Sequence, residues 1–164
     1  MNKKIGFVAF LLFAYITLSK NLFAQSKTAM AIYNGQVAHA ATSQVNDGQV
    51  TVNATGFSKS IADAKLNALQ SAFYNVLFRG IPGSQYSAPL ITDEASKIND
   101  PAVQELLDKG FNSFVTNSVI VEEDKKTRKV DGVKGYQCTL QITINVEGLR
   151  KHLEQKNVIR KFGF

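Results

Sequence analysis

The sequence predicts an α+β fold, a two-layer sandwich in which an antiparallel sheet carries helices on one face. Three observations predict it. Between Tyr136 and Val146 the residues Tyr136, Cys138, Leu140, Ile142, Ile144 and Val146 alternate with Gln137, Thr139, Gln141, Thr143 and Asn145, a period-two strand with one buried and one wet face. Just before it stands Asp131-Gly132, a two-residue hairpin turn signal that pairs this strand with the chain preceding it. Two earlier stretches, beginning near Ser60 and Asp100, place apolar residues at spacings of three and four and therefore read as amphipathic helices. Strands adjacent in sequence pair antiparallel, and helices segregated from them stack on one face.

Each element follows in chain order. Lys3 and Lys4 precede an apolar run from Ile5 to Leu18, and Ser19-Lys20-Asn21 leads into Leu22-Phe23-Ala24-Gln25, which is the pattern of a signal peptide over residues 1–25. A helix over that run is roughly 21 Å long, short of the roughly 30 Å hydrocarbon core, so a permanent span is not expected, nor any span once the leader is removed. No cysteine lies near the cleavage zone, so lipid attachment at an N-terminal cysteine is not expected. Residues 26–48, rich in Ala, Ser, Gln and Asn, read as an extended lead-in. A single domain is expected over residues 49–157.

Within it, Val50, Val52 and Ala54 alternate with Thr51, Asn53 and Thr55 as the first strand. Ser60 followed by Asp63 resembles a capping box, and no Gly or Pro interrupts the chain from there to Arg79. Ala64, Ala68 and Ala72 put small side chains on one line, which lets this helix approach a sheet closely. Gly80-Ile81-Pro82-Gly83 stops the helix and opens a long loop to Asn99; Asp100 as N-cap and Pro101 as first helical residue start the second helix. Extending the Asp131-Gly132 turn into a regular hairpin sets Val119 opposite Ile144 and Val121 opposite Ile142, with Val119 and Val121 in the core. In the arm from Glu122 to Lys134, nine of 13 residues are charged, so it is expected to be solvent-exposed and twisted or bulged. A short helix from Glu147 to Gln155 precedes an apolar and basic tail over residues 158–164.

The full chain of 164 residues carries 19 basic and 13 acidic residues. Three of the basic ones sit in the leader, so the exported form holds 16 against 13, and all of that excess lies from Arg150 onward. Nucleic acid is not an expected partner, because the basic residues form a short tail and not a broad surface interleaved with aromatics. Cys138 is the only cysteine, which leaves no intramolecular disulfide.

Chemistry is sparse. Cys138, with His39 or His152 as base, is the one arrangement that raises a thiol hydrolase, but its place on the apolar face of a strand makes it a small core residue. No ligand-spaced cluster points to a metal, and no cofactor is expected. The tail stands out: Val158, Ile159, Phe162 and Phe164 are apolar where chain ends are usually polar, and Arg160 and Lys161 add charge. Either the tail folds back over the core, or these six residues form a partner-binding segment. A cleft beside the loop from Gly80 to Asn99 is the alternative place for a small ligand.

Val52-Asn53-Ala54-Thr55-Gly56, the Ala-spaced helix after it and the late hairpin ending in Tyr136 to Val146 resemble the N-terminal domain of the flagellar protein FlgT and its related small outer-membrane lipoproteins. The resemblance covers roughly residues 48–155 and implies a non-catalytic envelope module. Together these readings give a periplasmic or secreted protein, associated with the outer membrane or with another envelope protein; homo-oligomer formation is left open. The leader carries its own test. Intact-mass measurement of the protein isolated from its host should place the first residue at Gln25 or Ser26, and a chain retaining Met1 would refute the signal peptide.

Overall fold

Two long strands with matched alternation form the centre of the fold, β2 (Gln49–Ser58) and β5 (Val133–Asn145). They pair antiparallel from Gln49 opposite Asn145 to Ser58 opposite Tyr136. The sheet also holds β1 (Val37–His39), β3 (Val115–Glu123) and β4 (Arg128–Val130), in the order β1-β2-β5-β3 with β4 pairing the far end of β5. The first strand of the predicted domain thus docks against the last, in the middle of the sheet. The structure is a computed structural model that describes residues 37–40, 48–130 and 132–161, all within one unit of the chain. The signal peptide, most of the lead-in, Asp131 and the last three residues of the tail lie outside the described residues.

The β2–β5 register explains the two faces. Val50, Val52 and Ala54 lie opposite Ile144, Ile142 and Leu140, and all six are buried under the helices. On the other face Thr51 meets Thr143 with hydroxyl oxygens 3.0 Å apart, and Thr55 meets Thr139 at 2.9 Å. These cross-strand hydroxyl pairs satisfy polar groups that the neighbouring strands partly cover.

The helix layer is α1 (Ile61–Phe78), α2 (Glu94–Lys97), α3 (Pro101–Asp108), a 3₁₀ turn (Gly110–Phe114) and α4 (Val146–Gln155). Ser60 caps α1 as its sequence position predicts, accepting from the Asp63 N–H at 3.1 Å while its hydroxyl donates to the Asp63 carboxylate. Ala64, Ala68 and Ala72 are fully buried along the line facing the sheet. Opposite them stands Gly56, where an added Cβ would lie 2.1 Å from the Ala64 carbonyl oxygen and 2.4 Å from the Ala68 nitrogen. Helix and strand therefore meet backbone to backbone, a spacing only glycine and alanine permit.

The loop after α1 is tied to the helix end. Leu90 and Ile91 donate to the carbonyls of Val76 and Leu77, at 3.3 and 2.8 Å, satisfying acceptors that a helix terminus leaves open. Asp100 caps α3 by accepting from Ala102 N–H at 3.0 Å, and Phe111 packs its ring 5.6 Å from that of Phe73. At the other end of the chain, Asn157 adopts φ +57°, Val158 donates to the Leu153 carbonyl at 2.9 Å and Asn157 to that of Glu154 at 3.1 Å. This is a Schellman closure, whose accompanying apolar contact places Val158 beside Leu153 in the core.

The hairpin register departs from the regular extension of its turn. Arg128, Lys129 and Val130 face Gly135, Lys134 and Val133, the register Asp131-Gly132 sets, with Gly132 at φ +83°. Farther from the turn β3 slips: Glu123 faces Cys138, Ile120 faces Leu140 and Val115 faces Ile144. Extra residues are absorbed between Glu123 and Arg128 and at irregularities around Val121 and Thr116. The expected pairs Val119 with Ile144 and Val121 with Ile142 are therefore not formed; the residue reaching Ile144 is Val115. The reason is that a turn fixes register only as far as the first bulge, and each bulge moves the pairing by one residue.

Replacing Gly56 with alanine tests the close approach. Because the new methyl meets helix backbone and not a movable side chain, Gly56→Ala should lower stability by about 3 kcal/mol or more in urea denaturation. Gly110→Ala, whose Cβ would come no nearer than 3.3 Å, should cost far less.

Candidate functional site

β3 is the least covered element of the sheet. Helix α1 packs on β2 and β5 rather than on β3, and every β3 residue from Thr116 to Glu122 is exposed. Among them Val119, Ile120 and Val121 are 50%, 49% and 56% exposed, three consecutive β-branched apolar residues. Their directions follow from the pairing: Val119 shares the polar face with Gln141, Ile120 shares the helix-bearing face with Leu140, and Val121 sits at the bulge between Ile120 and Glu122. The apolar surface thus wraps around a sheet edge. Val133, at 49% exposure, adds to the exposed apolar surface of the hairpin arm.

Charges bound this strip at its turn-proximal end. Glu123 pairs with Lys65 of α1 at 2.6 Å, a hydrogen bond that raises the lysine pKa above its ordinary value. Asp124 accepts from the Gln137 N–H at 2.8 Å and pairs with Arg128, and these two partners, the arginine first, hold its carboxyl below the usual range. Its own N–H donates to the Gln137 carbonyl at 3.0 Å, so Asp124 anchors the root of the charged arm on β5. Bulges and charges of this kind blunt strand-to-strand pairing at an edge. The exposed valines and isoleucine are thus offered through their side chains more than through a free backbone ladder.

A second feature lies beside the long loop. A groove of about 470 Å³ runs between that loop and the chain after α4. Leu90, Ile91, Val158 and Ile159 supply its apolar lining, and Lys97, Arg150 and Arg160 line it with positive charge. Asp93 is its one acid, and its carboxylate is engaged by the Ser96 hydroxyl at 2.6 Å and the Ser96 N–H at 3.2 Å, which lower its pKa.

The tail residues separate into three groups. Val158 is a core residue, 5% exposed, and so is not a free contact; Ile159 packs partly against the core. Arg160 and Lys161 are exposed, and Phe162 and Phe164 lie outside the described residues. Cys138 is 1% exposed, and burial pushes its thiol pKa up. His152 lies with its ring 5.4 Å from Phe114, and the His39 side chain is outside the described residues. No group of three or more metal-ligating side chains occurs among the described residues, and no described helix is long and apolar enough to cross a membrane.

Sequence reasoning missed the β3 surface because a regular hairpin register sets Val119 and Val121 opposite Ile144 and Ile142, in the core. The usable signal was the acidic triplet directly after it, since three carboxylates seldom follow a strand that stays in the core. Comparison with models of protein families, with curated proteins and with solved structures finds no match.

Cys138 supplies a direct check on the reading of that strand. The buried thiol should react with a thiol reagent only as fast as the native protein opens, and Cys138→Ala should leave its fold intact. The sign of the pH effect follows from the raised pKa. The native thiol keeps its proton where the unfolded chain, near its ordinary value of 9.0, begins to give it up. This contribution to stability is full below that value and is lost as pH rises above it toward the folded pKa, so wild type should lose stability relative to Cys138→Ala above about pH 9.

Proposed function

We propose that the chain is an exported, non-catalytic module of the cell envelope that acts by binding another envelope protein, with the β3 edge as its contact surface. The observation that carries this is the run Val119, Ile120 and Val121, half exposed on an edge that α1 does not cover. A contiguous exposed apolar strip rimmed by charge is the usual composition of a protein contact. Covering it is worth on the order of 1 kcal/mol for each side chain, since these residues are about half buried already and full burial is worth roughly 1.5–3 kcal/mol. The signal peptide pattern and the resemblance to flagellar and outer-membrane lipoprotein modules support the compartment. The burial of Cys138, which keeps its thiol protonated, favours binding over thiol chemistry.

A photo-crosslinking residue at Ile120 should trap a defined envelope protein in intact cells, and the same residue at Lys161 should not. Val119→Lys with Val121→Lys should abolish the adduct while shifting the melting temperature by no more than a few degrees, because exposed positions contribute little to stability. Trapping from Lys161 and not from Ile120 would return the contact to the tail.

A further inference from the structure

We infer that the outer hairpin, β4 with the start of β5, is a docking arm for an anionic phospholipid bilayer. Its residues are separate from Val119, Ile120 and Val121, and the inference does not depend on the contact proposed there.

The arm extends past the main sheet. β2 ends at Ser58 opposite Tyr136 and β3 at Glu123 opposite Cys138, so Val133, Lys134 and Gly135 of β5 have β4 as their strand partner. Of the ten residues from Lys125 to Lys134, five are basic and one, Asp131, is acidic. The arginine of this stretch, Arg128, is held by Asp124. Lys125, Lys126, Lys129 and Lys134 are exposed, and none of them forms an ion pair among the described residues.

Lys129 and Lys134 stand directly opposite each other across the ladder. Like charges so placed are destabilising, a cost that an external anion lying over the pair relieves. The next rung toward the turn is Val130 opposite Val133, on the other face of the arm, with Val133 49% exposed and Val130 half-buried. The tip is therefore amphipathic. A soluble polyanion would neutralise the lysines and leave the valines wet, whereas at a bilayer surface the valines enter the headgroup boundary and the lysine stems reach to the phosphates. Residue type points the same way. Recognition of a single phosphate or carboxylate in fixed geometry favours the arginine fork, and Arg128 is already bound to Asp124; free lysines act as point charges, which suits a diffuse anionic surface.

Co-sedimentation of the protein as isolated from its host with lipid vesicles tests the inference. Vesicles of phosphatidylcholine and phosphatidylglycerol in equal parts should bind it, less as salt rises, and phosphatidylcholine alone should not. Lys129→Gln with Lys134→Gln should weaken binding roughly tenfold or more, since each lysine near an anionic surface contributes about fivefold. If that variant melts more than a few degrees lower than the wild type, Lys125→Gln with Lys126→Gln takes its place. Lys109→Gln with Lys156→Gln removes the same charge elsewhere and should leave binding unchanged, while Val133→Ser should weaken it at constant charge. Equal binding to the two kinds of vesicle, equal loss in the two charge variants, or undiminished binding in either arm variant would each overturn the proposal. So would capture by soluble polyphosphate with none by vesicles, since the partner would then be an acidic polymer.

Discussion

The backbone contact between Gly56 of β2 and the Ala64–Ala68 turn of α1 sets the spacing of the two layers, and the other packing relations follow from it. With the helix drawn that close, the residues left between helix and sheet must be small on the line of contact and large to either side. The sequence meets this with Ala64, Ala68 and Ala72 on the line and Phe73, Val76 and Leu77 beside it, all buried. A helix seated deeply over β2 and β5 also has limited lateral reach. It covers the two central strands and leaves β3 beyond its shoulder, where the Lys65–Glu123 pair is its link across. The exposed valines of β3 are thus a consequence of how tightly the rest is packed.

That geometry bears on what β3 is for. An exposed apolar edge is a hazard in a chain that must stay monodisperse, and the bulges and acidic cluster here act against indiscriminate strand addition. Had the only pressure been solubility, the strip itself would carry charge, as the adjoining arm does. Retaining three β-branched apolar residues next to a heavily charged arm fits a surface kept apolar for one partner and defended against others.

Much of the fold was legible because its signals are local. The alternation of Tyr136 to Val146, the cap at Ser60 and the Asp100-Pro101 start each rest on a few neighbouring residues, and all appear where expected. What was not legible depends on longer-range effects. The Asp131-Gly132 turn sets the register of Arg128 to Val130 and no more, because nothing in the local sequence marks the bulges near Val121 and Thr116. β1 is three residues long, too short to show a period, and owes its strand geometry to pairing with Val52, Asn53 and Ala54. Asn157 in the left-handed region is a position that asparagine tolerates better than most residues, yet by itself it does not announce a helix closure.

The Schellman closure also changes how the terminus must be understood. Counted by sequence, Val158 to Phe164 is one apolar and basic segment that either packs or binds. In three dimensions the division falls inside it: Val158 completes the core, Ile159 lies along its margin, and Arg160 is exposed. A single asparagine in the left-handed conformation reverses the chain and so converts the first apolar residue after α4 from a loose end into part of the hydrophobic cluster. The positive charge that follows is thereby held close to an apolar surface. Neither property is visible when the tail is considered apart from the helix that precedes it.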